Sequence, residues 1–346
     1  MSRSRFMKKV PLVGYQGWFR AEGDGSGEGW SHYSERGPLT AATLHPDFWP
    51  DVTEYEKTYP TSLTNRDGST ARVFSSWNQS TTDLHFRWMQ QYGIDGVFVQ
   101  RFFAGLRSPE RRRKSRVVLE NCLRSSRQYG QAFAVMYDLS GLRDAGEDCS
   151  AIIQDWKQLV DELKVTSQPT NHYLYHRGKP LVTIWGLGFP DRGYNIRNIG
   201  IDKVIRFLKS DPEYGGCSVM LGVPAYFRDL NVDTNPDPYL HQLMESADVI
   251  MAWMVQRLNP VSSRQPEQQR SQGNNKRDFR LPRRRSGRSI SLHTADATRR
   301  LGEVGHHVPT RDQDTPEMFR RPGIWTSIGE RGHPPDAAVV ISSRPA

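Results

Sequence analysis

The residues of this 346-residue chain best suited to chemistry stand at the ends of its most apolar runs. They are Tyr15, Gln16 and Trp18; Gln100 and Arg101; Tyr137 and Asp138; Trp185; Tyr226 and Arg228; and Trp253. Aromatic rings beside amide, guanidinium and carboxylate groups suit a sugar, whose C–H faces stack on rings while its hydroxyls exchange hydrogen bonds with forked polar groups. Any one of these rings could simply plug the mouth of a fold; the set points to a saccharide. Asp138, directly after Ala134-Val135-Met136-Tyr137, is the best single carboxylate for acid–base work. Asp95 precedes its apolar run and reads as structural. Trp30 joins the candidates from a long segment, Gln16 to Trp77, that carries Trp18, Tyr33, Trp49, Tyr55, Tyr59 and many glycines; loops of that length inside a compact domain are usually functional.

Other constellations carry less. Gly23-Asp24-Gly25-Ser26-Gly27-Glu28-Gly29 lacks the Lys-Ser/Thr of a phosphate loop and opens no helix, so it reads as a flexible loop. His172 and His176 have no carboxylate nearby in sequence to complete a metal set. Cys122, Cys149 and Cys217 are odd in number and without CxxC spacing, which suits core thiols. Arg111-Arg112-Arg113-Lys114 opens a helix and reads as a solvated face. No metal or organic cofactor is expected.

Six apolar runs must position the candidates: Val10–Tyr15, Asp95–Gln100, Ala132–Tyr137, Leu181–Trp185, Ser218–Val223 and Asp248–Trp253. Near-continuous apolar runs are what parallel strands covered on both faces require. Between them the sequence predicts helices: one capped by Ser80 or Thr81 and stopped at Gly93, then Glu110–Tyr129 closed by Gly130, Cys149–Leu163, Ile201–Leu208 and Pro238–Glu245. Cys149–Leu163 sets Ile152, Trp156, Leu159 and Leu163 on one stripe. Repeating β-then-α units imply an α/β fold with a parallel sheet closing into a (β/α)8 barrel, of which about six units are readable. In such a barrel the candidates, and the long loop after the first strand, share the face at the C-terminal ends of the strands.

This grammar ends near Leu258. Residues 259–346 hold 16 basic and 9 acidic residues, leaving the body 31 and 29 of the chain's 47 and 38, so most of the net charge of +9 belongs to the tail. The basicity therefore says little about the body; with no recognition motif or aromatic platform in the tail, nucleic-acid binding by the tail is the least favoured alternative, and no nucleic-acid partner is expected. An Arg- and Pro-rich stretch without periodicity is expected either from a shifted reading frame or from a disordered basic tail. The body, 1–258, is read as one domain and the tail, 259–346, as a second segment. No run approaches a membrane span, and the first residues lack the h-region of a signal peptide.

Several strings of the body together resemble a known family. Val13-Gly14-Tyr15-Gln16-Gly17-Trp18-Phe19, Trp30-Ser31-His32-Tyr33, Asp47-Phe48-Trp49-Pro50-Asp51, Phe74-Ser75-Ser76-Trp77, Asp83-Leu84-His85-Phe86-Arg87-Trp88-Met89 and Tyr92-Gly93-Ile94-Asp95-Gly96-Val97 look like bacterial proteins related to glycoside hydrolase families 71 and 99. The likeness runs from residue 10 to 258. It implies a (β/α)8 barrel, a periplasmic or secreted setting, and cleavage of glycosidic bonds in oligo- or polysaccharides, with endo-α-mannosidase and α-1,3-glucanase among the relatives' activities. It also implies, in family 99, a pair of glutamates three residues apart near the last strand. No such pair follows Leu258, where Glu330 stands without a partner at that spacing. Most glycosidases need two carboxyl groups in opposite protonation states. The expectation is a glycosidase-like barrel lacking its catalytic pair, with a non-catalytic glycan-binding protein as the alternative.

Overall fold

The computed structural model describes residues 11–46, 48–143, 146–166 and 172–253, and the backbone of 290–292. Apart from those last three residues, the segment 259–346 lies outside the described residues. In chain order the elements are β1 (Leu12–Tyr15), β2 (Tyr59–Thr64), β3 (Thr70–Val73), α1 (Gln79–Gln91), β4 (Gly96–Phe102), α2 (Pro109–Tyr129), β5 (Ala132–Asp138), α3 (Ser150–Leu163), β6 (Tyr175–His176), β7 (Lys179–Trp185), α4 (Ile201–Ser210), β8 (Ser218–Pro224), α5 (Tyr239–Ser246), β9 (Val249–Trp253) and β10 (Ile290–Leu292).

All six predicted apolar runs are strands, and they lie side by side in the order β1-β4-β5-β7-β8-β9, each pair parallel. β10 adds to β9, also parallel, so three residues of the segment read as a non-periodic tail belong to the sheet. The result is an α/β fold: a mostly parallel sheet curled into a half-barrel, with β1 and β10 as its two ends among the described residues. β6 forms a short antiparallel hairpin with β7, and β2 and β3 form a separate two-stranded sheet.

Helix boundaries follow local chemistry. α2 starts where the Ser108 hydroxyl accepts from the Arg111 amide, with Pro109 in the first turn, and it ends at Gly130 in the left-handed conformation, φ 72°. α1 starts earlier than its sequence signals suggest. Asn78, in extended conformation, is the cap residue, and Ser80 and Thr81 lie inside the helix. Asn78 makes no side-chain cap; its Oδ1 instead accepts from the Tyr59 hydroxyl at 2.9 Å.

The sheet's two faces are told apart by their contacts. On one, Tyr15 packs edge-on to Phe86 of α1, and Arg101 and Tyr137 reach Asp155 of α3. On the other, Gln100 reaches the Met136 sulfur of the next strand, and Trp185 meets Trp253. Because successive side chains alternate between faces, the first is the helix-covered face and the second the concave face. One large core takes in the layer between sheet and helices together with residues of the concave face such as Met136, Trp185 and Trp253. A second, smaller core gathers Phe19, Tyr33, Leu39, Tyr55, Tyr59, Val73 and Phe74 from the long insertion against Leu84 and Trp88 of α1.

Candidate functional site

The register of the parallel strands builds one row across the concave face at their C-terminal ends. Phe102 of β4 pairs with Asp138 of β5, Asp138 with Trp185 of β7, and Trp185 with Gly222 of β8. A carboxyl group thus stands between two aromatic residues. Trp185 lies edge-on to Trp253 of β9, with ring centroids 5.5 Å apart, and tilted against Phe189 at 5.0 Å. Gly222 makes this possible, because a Cβ there would fall 2.3 Å from Cδ1 of Trp185. Any side chain at 222 requires the indole or its neighbours to shift.

Asp138 is buried, 4 % exposed, and its Oδ1 accepts from the Ser140 amide at 2.7 Å. Burial raises its carboxyl above the usual carboxylate range, against the hydrogen bonds from Ser140 and the positive charge of Arg192. Arg192 lies over the same row. Its guanidinium sits 5.1 Å from the Trp185 ring and 5.6 Å from Phe189, and Nη1 donates to Ser140 Oγ at 2.9 Å. Among the described residues, Trp185 Nε1, Gln100 Oε1, Thr183 Oγ1 and Trp18 Nε1 are buried polar atoms without a hydrogen-bond partner. Such atoms are uncommon in folded interiors, and the first three belong to residues of the concave face.

The other candidates divide. Trp18 is stacked with His32 at 4.2 Å and with Phe102 at 5.4 Å, so its ring is already engaged beside the row. Tyr226 opens the loop after β8 and is 38 % exposed; Asp233 holds that loop by accepting from the amides of Ala225 and Tyr226. Arg228 lies over the Phe227 ring at 4.8 Å. Gln16 is buried at the end of β1, and Trp30 is half-buried in the insertion, donating to Glu22 Oε2 at 3.2 Å.

Tyr15, Arg101 and Tyr137 are placed on the helix-covered face, away from the row. Arg101 forms a buried bidentate pair with Asp155 of α3, and the Tyr137 hydroxyl donates to the same carboxylate at 3.0 Å. The Tyr15 hydroxyl bonds His85 Nδ1 at 2.9 Å, and Tyr55 of the insertion bonds His85 Nε2 at 2.7 Å. The physical reason is the two-residue alternation of a strand: each of the three stands one position from an inward neighbour. A signal for Arg101 does exist in the sequence. Asp155 falls between Ile152, Trp156 and Leu159 on the buried stripe of α3, and a carboxylate there needs a buried cation. Arg192 and Phe189, by contrast, come from an irregular loop whose sequence gives no sign of folding back onto Trp185.

The weaker constellations resolve as structure. Asp24 of the glycine-rich loop accepts from the amides of Ala21 and Ser26 and from Ser75 Oγ, so that loop is tied down from both sides. His176 bonds Ser218 Oγ through Nδ1 at 2.6 Å. The three cysteines are buried and free, and no group of three metal-ligating side chains occurs among the described residues. No helix among them is long and apolar enough to cross a membrane.

Comparison with known proteins gives a partial likeness only. No protein-family model matches the chain, and no curated protein matches it. Among solved structures, the glycoside hydrolase family 99 endo-α-mannosidase from Bacteroides thetaiotaomicron in complex with BIS-TRIS-propane is similar at 11 % identity and a TM-score of 0.42 over 71 % of this chain. A second structure of a family 99 endo-α-mannosidase from that organism gives 12 %, 0.41 and 70 %. The chain spans about three-fifths of the length of these structures, 59 % and 61 %. The relationship is distant, and the arrangement of residues has to carry any reading of function.

Proposed function

We propose that the concave face at the C-terminal ends of the strands is a saccharide site of the glycoside-hydrolase kind, with Asp138 as its acid group. The row Phe102, Asp138, Trp185 carries the reading: a carboxyl raised by burial sits in register between two rings, with orphan hydrogen-bonding atoms around it. Rings take the C–H faces of a sugar, and the amide of Gln100 and the indole N–H of Trp185 take its hydroxyls. A carboxyl of raised pKa can hold a proton for a leaving oxygen.

Asp138 is also the one carboxylate at an inward strand position among the described residues. Glycosidic cleavage needs a second carboxyl roughly 5–9.5 Å from the first. That observation favours the second reading, a protein that binds glycans without cleaving them. Calorimetric titration of the full chain with α-linked manno- and gluco-oligosaccharides tests the site. Binding that is lost in Gly222→Val, which displaces the Trp185 ring, supports it; binding unaffected by Gly222→Val and by Trp253→Ala removes the site from this face. Product release measured on the same oligosaccharides separates the two readings. Turnover abolished by Asp138→Asn makes the protein an enzyme, and binding without turnover makes it a glycan-binding protein.

A further inference from the structure

Resting on the saccharide reading, we infer that Arg192 seats an anionic group of the ligand, so that the site takes an acidic sugar, one carrying a carboxylate or a sulfate ester, in preference to a neutral one. Arg192 comes from the connection between β7 and α4, and its guanidinium carbon sits over the Trp185 and Phe189 rings, 5.1 and 5.6 Å from their centroids. Its Nη1 is fixed on Ser140 Oγ, which places the guanidinium at the row containing Asp138. Its side chain is 16 % exposed, and its Nε is a buried donor without a hydrogen-bond partner among the described residues. The ion pair it makes there is with Asp191, its chain neighbour, at 3.8 Å, with the aspartate half exposed. That contact is too long for a hydrogen bond.

A partly buried guanidinium without a bonded counter-ion is costly to hold, and a planar fork fits a carboxylate or sulfate better than any neutral group. Asp138 does not fill the role: among the described residues its Oδ1 accepts from the Ser140 amide and it forms no ion pair with Arg192, whose charge acts on it only from a distance. With Nη1 on Ser140, the unpartnered Nε is the donor left for a ligand, and the indole beneath the guanidinium is the ring on which a sugar would rest. One residue pair therefore reads both the face of a sugar and its charge.

The test uses the full chain at low salt, with tryptophan fluorescence as the readout and three titrants: a trisaccharide ending in glucuronate, its counterpart ending in glucose, and sodium acetate. The glucuronate compound is expected to bind roughly tenfold or more tightly than the glucose one, the size of one charge-assisted hydrogen-bond pair. The preference should shrink as salt is added and vanish in Arg192→Gln. Arg192→Lys keeps the charge without the planar fork and should retain only part of it. Equal affinity for the two trisaccharides in the unmodified chain overturns the inference and leaves the saccharide site standing. Acetate binding as tight as the glucuronate compound also overturns it, because the site would then take a bare anion. Binding of none of the three overturns both readings.

Discussion

The ring residues at the row differ in what they do for the fold, and mutation should expose the difference. Tyr226 is 38 % exposed, so Tyr226→Ala should change stability by less than about 1 kcal/mol. Trp185 is 6 % exposed and packed on Trp253 and Phe189, and Trp185→Ala should cost roughly 3–5 kcal/mol as well as saccharide affinity. Urea unfolding of both variants checks the ordering; equal losses would mean that Trp185 is not packed as described. Arg101 makes the opposite case. Removing one partner of a buried ion pair leaves a charge without compensation, so Asp155→Ala should destabilise by about 3–5 kcal/mol. Saccharide affinity of the folded fraction should not change, because the pair lies behind the sheet. An affinity loss at unchanged stability would put Arg101 back in the site.

At the scale of elements, the sequence states the strands clearly and their faces not at all, for one physical reason. Parallel strands covered on both sides are apolar at every position, as in Phe133-Ala134-Val135-Met136, so the pattern that announces a strand erases the alternation that would say which way each residue points. Asp138 and Tyr137 are neighbours in sequence and on opposite faces in the fold. The insertion was legible only as a long aromatic segment. Its rings form a core of their own against α1, and one of its links to the sheet runs through a histidine whose role no spacing reveals. His85 of α1 joins Tyr15 of β1 to Tyr55 of the insertion, and burial holds it down to about 3. The unfolded chain takes up this proton near the ordinary histidine pKa of about 6.5, and the folded chain does not until about pH 3. Stability is therefore present at neutral pH and lost as pH falls through that window, by about 1.4 kcal/mol per pH unit from this one group. Urea midpoints between pH 7 and pH 4 should drop along that slope, and His85→Gln should flatten it. An unchanged slope in His85→Gln would assign the acid sensitivity to other groups, such as His32, which is lowered to about 4.

For the molecule as a whole, the decisive question is whether a half-barrel with one inward strand carboxyl among the described residues can turn over a glycoside. Six strands and the five helices between them were readable because each crossover helix carries its own signals, and the structure adds a seventh parallel strand, β10, whose three residues no periodicity marked. Through those residues the sheet takes in part of the segment where the glutamate pair of the resembled family would stand, yet the described strands offer Asp138 alone. A buried acid of raised pKa can protonate a leaving oxygen, but cleavage also needs a base or nucleophile on the other side of the bond, and no second carboxyl stands at an inward strand position among the described residues. On the glycan-binding reading, the 346-residue chain is expected to bind α-mannoside and α-glucoside oligosaccharides without measurable hydrolysis, and Asp138→Asn to leave that negligible rate as it is. The check is product release over many hours at high enzyme concentration, followed by chromatography of reducing ends. Turnover abolished by Glu330→Gln as well as by Asp138→Asn would overturn this expectation. The second carboxyl would then come from the segment beyond Leu258, and that segment would be part of the enzyme.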